Sequence, residues 1–256
     1  MIEPEGGIIV GVLGQWASGK STAARTLVEY LGGEGRVLFL TDRALFAGQA
    51  IKHILELEDS QVTVSMEDDG RQRLDGELVT VWLRPGEDLK TIDPSTLVFD
   101  VYNDEVLVAW RKRAKVELGL QIRERSTDGK PIVIEAAFGP NMEPVGENTY
   151  GRTISDLFAR LERAGVAPGH VKWIIVEAGQ DKRSERNQKR RDKIPVSYFE
   201  RYAADGGDLG PQDQDRLERQ GVLIKRVRNE HDELARFQAD IIAAFEELFP
   251  GVSPAS

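Results

Sequence analysis

Nine consecutive residues near the start of the chain constrain its fold more than any other feature. Residues 14 to 22 read Gly-Gln-Trp-Ala-Ser-Gly-Lys-Ser-Thr and directly follow an apolar run, residues 7 to 13. Glycines at both ends allow backbone amides to wrap around phosphate oxygens, and a helix that begins there points its positive end at the same anion. The lysine and serine supply a charge for terminal phosphates and a hydroxyl ligand for magnesium. The motif therefore predicts a site for a nucleoside triphosphate with Mg²⁺.

The predicted triphosphate site takes in the whole motif. Lys20 is expected to reach the terminal phosphates and Ser21 to hold the metal. Trp16 stands at a variable position, where we expect its ring to pack against the nucleotide or a neighbouring loop. The residues expected to bind the nucleotide are Gly14, Gln15, Trp16, Ala17, Ser18, Gly19, Lys20, Ser21 and Thr22. The alternative, a glycine turn with an incidental lysine, is disfavoured because a strand pattern precedes the motif and a helix pattern follows it.

Length and composition favour one α/β domain with an insertion. The chain has 256 residues, of which 40% are hydrophobic and 30% charged, and no apolar run reaches the ~18 residues of a membrane span. The absence of cysteine excludes disulfides and thiolate ligands, so any metal must be bound by oxygen. The absence of cysteine and an acidic N-terminus without a signal-peptide pattern together predict a cytoplasmic protein. A net charge of −9 argues against broad nonspecific binding to nucleic acid but allows a local basic cleft.

Five short apolar runs predict a parallel sheet that is buried on both faces. They are residues 8 to 13, 36 to 41, 131 to 138, 170 to 178 and 221 to 227. Three helical patterns lie between these runs and after the last one. The first is marked by Ala24, Leu27, Val28 and Leu31, and the second by Ile154, Leu157, Phe158 and Leu161. The third is marked by Leu234, Phe237, Ile241, Phe245 and Leu248, with Asn229 as its expected N-cap and Pro250 as its expected stop. Alternating strands and helices predict a doubly wound sheet, in which ligands collect at the carboxyl ends of the strands.

Residues 43 to 130 do not fit this alternation and predict an inserted region. Residues 61 to 66 and 77 to 83 indicate two strands, joined through turn signals at residues 68 to 70 and 75 to 76, in a β-hairpin or small subdomain. A helix is predicted over residues 104 to 125, with Leu107, Trp110, Ala114, Leu118 and Ile122 on its apolar face and Arg111, Lys112, Arg113 and Lys115 on the other. The basic face is either solvated or a contact for an acceptor phosphate or nucleic acid.

Two carboxylates follow predicted strands. Glu135 lies at the tip of a strand expected beside the motif's strand, where it is expected to orient metal-bound waters or polarise an attacking group; the alternative is a loop cap. Asp42, at the end of the second strand, is either a general base for an acceptor hydroxyl or a helix N-cap. Arg43 beside it is a candidate for holding an acceptor anion.

A strongly basic segment follows the fourth predicted strand. Residues 182 to 193 contain seven basic and two acidic residues in an otherwise acidic chain. On a helix Arg183, Arg186 and Arg190 share one face, and guanidinium groups stabilise the charge of a phosphoryl group in transfer. The segment therefore predicts a lid that closes on bound ligand. The alternatives are a solvated charge run and a nucleic-acid patch.

The chain thus combines a phosphate loop, carboxylates after the second and third strands, and an Arg-x-x-Arg segment after the fourth. This order of motifs resembles the P-loop nucleoside and nucleotide kinase superfamily. In layout it is similar to gluconate kinase, polynucleotide kinases and zeta-toxin kinases. The resemblance spans residues 7 to 42 and 131 to 249 and includes the turn at residues 194 to 196. It implies a three-layer P-loop kinase-type α/β fold, a five-stranded parallel sheet in the order 2-3-1-4-5, a lid over residues 179 to 206 and a single domain over residues 1 to 256.

The resemblance also implies roles for particular residues. Asp42 matches the general base of that family, Arg183 and Arg186 match its lid arginines, and residues 227 to 229, ending at Asn229, match a stretch that approaches the adenine base. The implied activity is transfer of the γ-phosphoryl group of ATP, with Mg²⁺, to a hydroxyl of a metabolite, nucleoside or nucleotide. The acceptor is expected to bind the region 43 to 130, although the sequence of this region does not resemble the acceptor-binding regions of these kinases.

Two alternative functions also agree with these motifs. A hydroxyl on nucleic acid, at a strand end or on a modified base such as 5-hydroxymethyluridine, is the second acceptor class, supported by the two basic segments. A non-kinase P-loop NTPase is the second alternative. A GTPase switch is disfavoured, because the chain contains neither N-K-x-D nor D-x-x-G.

Overall fold

The computed structural model describes residues 7–15, 17–136, 161–163, 165–189 and 211–253. Within these ranges only the secondary structure is described for residues 104, 108, 127, 168 and 211–213. The chain divides into two compact units. We call residues 1–40 and 119–256 the core unit and residues 41–118 the inserted unit.

The described elements alternate in the core unit and are mostly strands in the inserted unit. The strands are β1 Ile9–Gly14, β2 Leu38–Thr41, β3 Thr63–Met66, β4 Gln72–Asp75, β5 Val79–Leu83, β6 Val98–Val101, β7 Ile132–Ala136, β8 Lys172–Glu177 and β9 Ile224–Arg228. The helices are α1 Lys20–Tyr30, α2 Asp42–Glu56, α3 Asp104–Arg125, α4 Gln180–Lys189, α5 Pro211–Arg219 and α6 Leu234–Leu248. None of these helices is both long and apolar enough to cross a bilayer.

The core unit contains a five-stranded sheet in the order β2-β7-β1-β8-β9. Counted among these five strands alone, this order is 2-3-1-4-5. Strand β1 pairs in parallel with β7 and β8, and β8 pairs in parallel with β9. The predicted parallel α/β sheet is confirmed. Because these strands run parallel, the carboxyl ends of β1, β7, β8 and β9 lie at the same edge of the sheet.

Helices α1 and α6 cover one face of this sheet. Their apolar residues, among them Leu27, Phe237, Ile241 and Phe245, form one cluster with Val10, Val12, Val133, Ile174 and Val227. The predicted helix faces are confirmed except at Leu234, which is exposed because the helix only begins there. Trp173 of β8 is fully buried beside Gly11 of β1, where a Cβ would overlap its ring.

The inserted unit is built on a four-stranded antiparallel sheet in the order β3-β4-β5-β6. The sequence predicted two strands in one hairpin; the two turn signals instead flank a separate strand, β4. Gly70, with a positive φ of 79°, turns β3 into β4, and the amide of Gly76 donates to Val79 O at 2.9 Å between β4 and β5. One face of the sheet packs through Leu74, Val81 and Leu83 into a cluster with residues of α2 and α3.

The opposite face of the inserted sheet carries a polar network around Asp75. Its carboxylate accepts hydrogen bonds from Thr80 Oγ1, from Tyr102 OH at 3.0 Å and from Arg73 Nε at 3.0 Å. Burial by itself raises the pKa of Asp75, but these three hydrogen bonds outweigh it and hold the pKa below its ordinary value. Burial and the hydrogen bond to Asp75 raise the pKa of Tyr102.

Helix α3 has the predicted bounds and apolar face, and its basic face differs from the prediction. Leu107, Trp110 and Ala114 are buried, and Lys112 and Arg113 are exposed as expected. Lys115 is buried rather than solvated. The guanidinium of Arg111 lies 5.7 Å from the ring centre of Phe46, a cation–π contact. The solvated-face interpretation is therefore wrong for Lys115, because helical spacing assigns a face without knowing what packs beside it.

Several predicted features lie outside the described residues. They are Trp16, most of the helix marked by Ile154, Leu157 and Phe158, the basic residues Arg190, Arg191 and Lys193, and the turn at residues 194 to 196. Of the predicted lid, residues 179–189 are described.

Candidate functional site

The predicted phosphate loop joins β1 to α1 in a tight turn. Strand β1 ends at Gly14 and α1 begins at Lys20. The amide of Ser18 donates to Gln15 O at 3.2 Å, and both Ala17 (φ 59°) and Gly19 (φ 104°) adopt left-handed backbone conformations. Among the described residues no side chain caps the first turn of α1. The loop thus turns its backbone ahead of the N-terminus of a helix, the end that attracts anions.

Both motif glycines are also required by packing. A Cβ on Gly14 would overlap Ser18 Oγ and lie 2.8 Å from Val176 O on the neighbouring strand β8. A Cβ on Gly19 would overlap Nδ2 of Asn229, and the left-handed φ of Gly19 is itself unfavourable for other residues. The protein's own tight packing therefore adds to the phosphate-binding reason for glycine at these two positions.

A hydroxyl and a carboxylate meet at the start of α1. Ser21 Oγ donates a hydrogen bond of 2.5 Å to Oε1 of Glu135, although 114 residues separate them. The register of β1 with β7 brings them together, since Glu135 lies opposite Val12 near the end of β1. Lys20, next to Ser21, is buried. Oxygen donors of these two kinds suit Mg²⁺, which usually keeps several waters and takes one or two carboxylates plus phosphate oxygens.

No larger set of metal-binding side chains is present in the described part of the chain. There, no three His, Asp or Glu side chains gather into a group able to hold a metal. The Ser21–Glu135 pair offers oxygens of the kinds that a Mg²⁺ ion bound with a triphosphate uses.

Asp42 follows the carboxyl end of β2 and is the first residue of α2. The N-cap is Thr41, whose Oγ1 accepts a hydrogen bond of 3.2 Å from the amide of Arg43. The predicted alternative in which Asp42 caps the helix is therefore wrong, because α2 starts directly after the strand and Thr41 occupies the cap position. Asp42 contributes a negative charge to the first turn instead. Its role as general base stays a prediction.

The two predicted lid arginines lie on α4 and have different surroundings. Arg183 is buried, and its Nε donates to Ala178 O at 3.0 Å, so it anchors the start of α4 to the end of β8. Arg186 points at the phosphate loop: its guanidinium donates to Ser18 O at 3.4 Å and to Oδ1 of Asn229 at 3.0 Å. Arg186 therefore reaches the loop.

Asn229 directly follows β9, and its side chain is directed into the phosphate loop. Its backbone amide donates to Glu177 O at 2.7 Å, and its side-chain Nδ2 donates to Ser18 O at 2.7 Å. The prediction that it caps the last helix is wrong, since α6 starts after an N-cap at Glu233. Helical periodicity placed the cap four residues too early because residues 230 to 233 form a connection of their own.

Sequence reasoning missed the three residues after Asn229. Glu230 Oε1 accepts a hydrogen bond of 2.7 Å from the amide of Gly179, at the start of α4. His231 O accepts one of 3.1 Å from Arg186, and Asp232 forms an ion pair with Lys182 whose hydrogen bond lowers the pKa of Asp232. The signal that was available is a run of five polar residues, 229 to 233, after the last strand, at the edge where ligands collect.

Comparison with known proteins supports the fold. No protein-family model and no curated protein sequence matches the chain. Among solved structures, the chain is similar to an unliganded sugar kinase from Janibacter sp. HTCC2649, with a TM-score of 0.53 at 14% identity, over 98% of this chain and 100% of that one.

Two further kinases show weaker structural likeness. A shikimate kinase from Acinetobacter baumannii, in complex with shikimate, gives a TM-score of 0.48 at 13% identity, over 96% of this chain and 97% of that one. A thymidylate kinase from Ehrlichia chaffeensis gives 0.43 at 12% identity, over 94% and 99%. The likeness to the sugar kinase shows the fold: the chain has a P-loop nucleotide-kinase-type α/β fold, as its sequence predicted.

Proposed function

We propose that this protein is an ATP-dependent kinase that transfers the γ-phosphoryl group of ATP to a hydroxyl of a metabolite, nucleoside or nucleotide. The observation that supports this function most is the hydrogen bond between Ser21 and Glu135, at the end of a complete phosphate loop. A glycine turn without function has no need of a carboxylate from another strand held against the hydroxyl that follows the lysine.

The residues of the loop divide the binding of the nucleotide among themselves. Backbone amides of the loop, among them that of Gly19, surround the phosphates, and the ammonium of Lys20 donates to the terminal phosphate oxygens. Ser21 would supply a hydroxyl ligand to Mg²⁺, and the Glu135 carboxylate would help to hold the ion. Bound Mg²⁺ neutralises negative charge on the phosphate oxygens.

The transfer step needs a proton acceptor and positive charge at the transferred group. The acceptor oxygen forms a bond to the γ-phosphorus, the bond from that phosphorus to the bridging oxygen breaks, and ADP leaves. Asp42 takes the proton of the acceptor hydroxyl. Arg183 and Arg186, in a lid over residues 179 to 206, stabilise the charge on the transferred group. Contact of Arg186 with the backbone of Ser18 supports its part in this arrangement.

A small acceptor bound by the region 43 to 130 accords better with the charge of the chain than nucleic acid does. The net charge is −9, and of the four cations proposed for a phosphate or nucleic-acid contact on α3, Lys115 is buried and Arg111 stacks on Phe46. Lys112 and Arg113 are exposed. Nucleic acid therefore enters the test below as the competing class of acceptor.

The test measures ADP release over a panel of sugars, nucleosides, nucleotides and oligonucleotides, with Mg²⁺ present. We expect ADP release that depends on one class of small hydroxyl acceptor. Lys20→Ala should lower that turnover by about two to three orders of magnitude, since one donor to the developing charge is lost. Lys225→Ala, which removes an exposed lysine paired with Glu247, is the matched control and should leave turnover unchanged. Turnover in Lys20→Ala equal to wild type would refute the kinase, and release stimulated only by oligonucleotides would transfer the assignment to nucleic acid.

A further inference from the structure

We propose that the side chain of Asn229 is a positioning residue that fixes the conformation of the phosphate loop, with Arg186 as its partner. The proposal rests on the proposed function in one respect, that the loop's ligand is a triphosphate. In this proposal the Asn229 side chain binds the backbone of the phosphate loop and does not contact the nucleotide base. Contact with the base is then made by the main chain of residues 227 to 229.

Both ends of the Asn229 amide are used inside the protein. The residue is 5% exposed. Nδ2 donates to Ser18 O at 2.7 Å, across 211 positions of sequence, and Oδ1 accepts from Arg186 at 3.0 Å. A guanidinium has only donors and a carbonyl only accepts, so Oδ1 must face Arg186 and Nδ2 must face Ser18. The chemistry of the two partners therefore determines the orientation of the amide.

Holding the carbonyl of Ser18 also directs an amide that belongs to the loop. In a trans peptide the C=O and the next N–H point in opposite directions, so the bond from Asn229 to Ser18 O sets the direction of the Gly19 N–H. Nδ2 occupies the space that a Cβ on Gly19 would need, beside a backbone φ of 104° that glycine adopts readily. With Asn229 in this position, the second motif position requires glycine.

Asn229 is itself held firmly, as a positioning residue must be. Its backbone amide bonds to Glu177 O in β8. The following residues join α4: Glu230 accepts from the amide of Gly179, His231 O accepts from Arg186, and Asp232 pairs with Lys182. The segment 229 to 232 therefore connects the end of β9, the start of α4 and the phosphate loop, and it orients Arg186 as well as Ser18.

The variant Asn229→Asp isolates the bond to the loop. Its carboxylate keeps the shape and the acceptor toward Arg186 but replaces the donor with an oxygen that faces the carbonyl oxygen of Ser18. The loss of a buried hydrogen bond should weaken the affinity of the loop for its ligand about ten- to a hundredfold. The matched control is Gln220→Glu, the same amide-to-acid change at an exposed position in the turn before β9, which should not alter affinity.

Calorimetric titration with Mg²⁺ and three ligands distinguishes positioning from other roles. We expect Asn229→Asp to weaken ATP, GTP and inorganic tripolyphosphate by the same factor, because all three present phosphates to the loop. A loss for ATP alone would overturn the proposal in favour of base recognition. A lower melting temperature with unchanged affinity of the folded protein would overturn it in favour of a purely structural role.

Two further results keep the proposal open to refutation. If Asn229→Asp does not fold, Arg186→Gln takes its place: it removes the cation at Oδ1 and should weaken all three ligands about two- to tenfold, and unchanged affinity would overturn the proposal. If the wild-type protein binds none of the three ligands, the proposed function itself fails. Wild-type binding with an unaffected variant refutes only the role of Asn229.

Discussion

Replacing Glu135 with glutamine changes one charge at the proposed metal site and little else. The amide has the size of the carboxylate and can still accept the hydrogen bond of 2.5 Å from Ser21, but the negative charge is lost. A hydrogen bond to a charged group contributes about 1.5 to 3 kcal/mol and one between neutral groups about 0.5 to 1.5 kcal/mol. Because Ser21 is exposed and Glu135 half-buried, we expect the lower end of this difference, about 1 kcal/mol or less, in the free energy of unfolding.

The effect on magnesium should be larger than the effect on stability. Loss of a partner that orients the ligands of a metal typically lowers metal affinity or activity about ten- to a hundredfold. We therefore expect the Mg²⁺ concentration for half-maximal turnover to rise by that factor, with ATP affinity in the absence of Mg²⁺ unchanged. The assay is a Mg²⁺ titration of ADP release at fixed ATP, paired with binding of ATP with and without Mg²⁺.

The matched control lies at the same edge of the sheet, on β8, which is separated from β7 by β1. Glu177→Gln makes the same change at the end of β8, where the carboxylate pairs with Arg226 rather than with Ser21. It should leave the Mg²⁺ dependence unchanged. If Glu135→Gln has the wild-type Mg²⁺ dependence while Glu135→Ala lowers the melting temperature, the carboxylate is a structural partner of Ser21 and the metal role is refuted.

Two more predictions concern carboxylates with other surroundings. Asp42→Asn should lower kcat by about two to four orders of magnitude with little change in melting temperature, since Thr41 supplies the helix cap; an unchanged kcat would exclude Asp42 as the base. Asp75→Asn should make the free energy of unfolding less dependent on pH in acid. The pKa of Asp75 is lowered from its ordinary value of 3.8, so its carboxylate stabilises the fold above about pH 3.8, and this contribution is lost as the pH falls through the pKa of the folded state. Equal slopes of unfolding free energy below pH 4 in both proteins would contradict it.

The phosphate loop could be recognised from sequence because all of it is local. Its glycines, Lys20 and Ser21 stand within nine residues, and the strand and helix that flank it are each strongly patterned. The sequence also predicted that Glu135 and Ser21 share one site, because a charged residue that ends a buried strand lies at the edge of the sheet where ligands bind.

The inserted sheet shows where pattern reading fails. Strand β4 has one apolar residue, Leu74, among Gln72, Arg73 and Asp75, and β6 has four residues. Strands this short, with polar side chains on the face opposite the core, give almost no alternating signal of their own. Cross-strand pairing with β3 and β5 defines them, and pairing joins residues that the sequence does not mark as partners.

The sequence by itself determined the phosphate loop, the parallel α/β class and the apolar face of α3, because each follows from the period and composition of one continuous segment. The tertiary structure alone decided that Thr41 caps α2, that Lys115 is buried and that Asn229 binds the carbonyl of Ser18. Burial depends on the neighbours that folding supplies, and a polar side chain near a helix or strand end has several partners in reach. The choice among them follows from strand order and register, which bring distant residues within one hydrogen bond of each other.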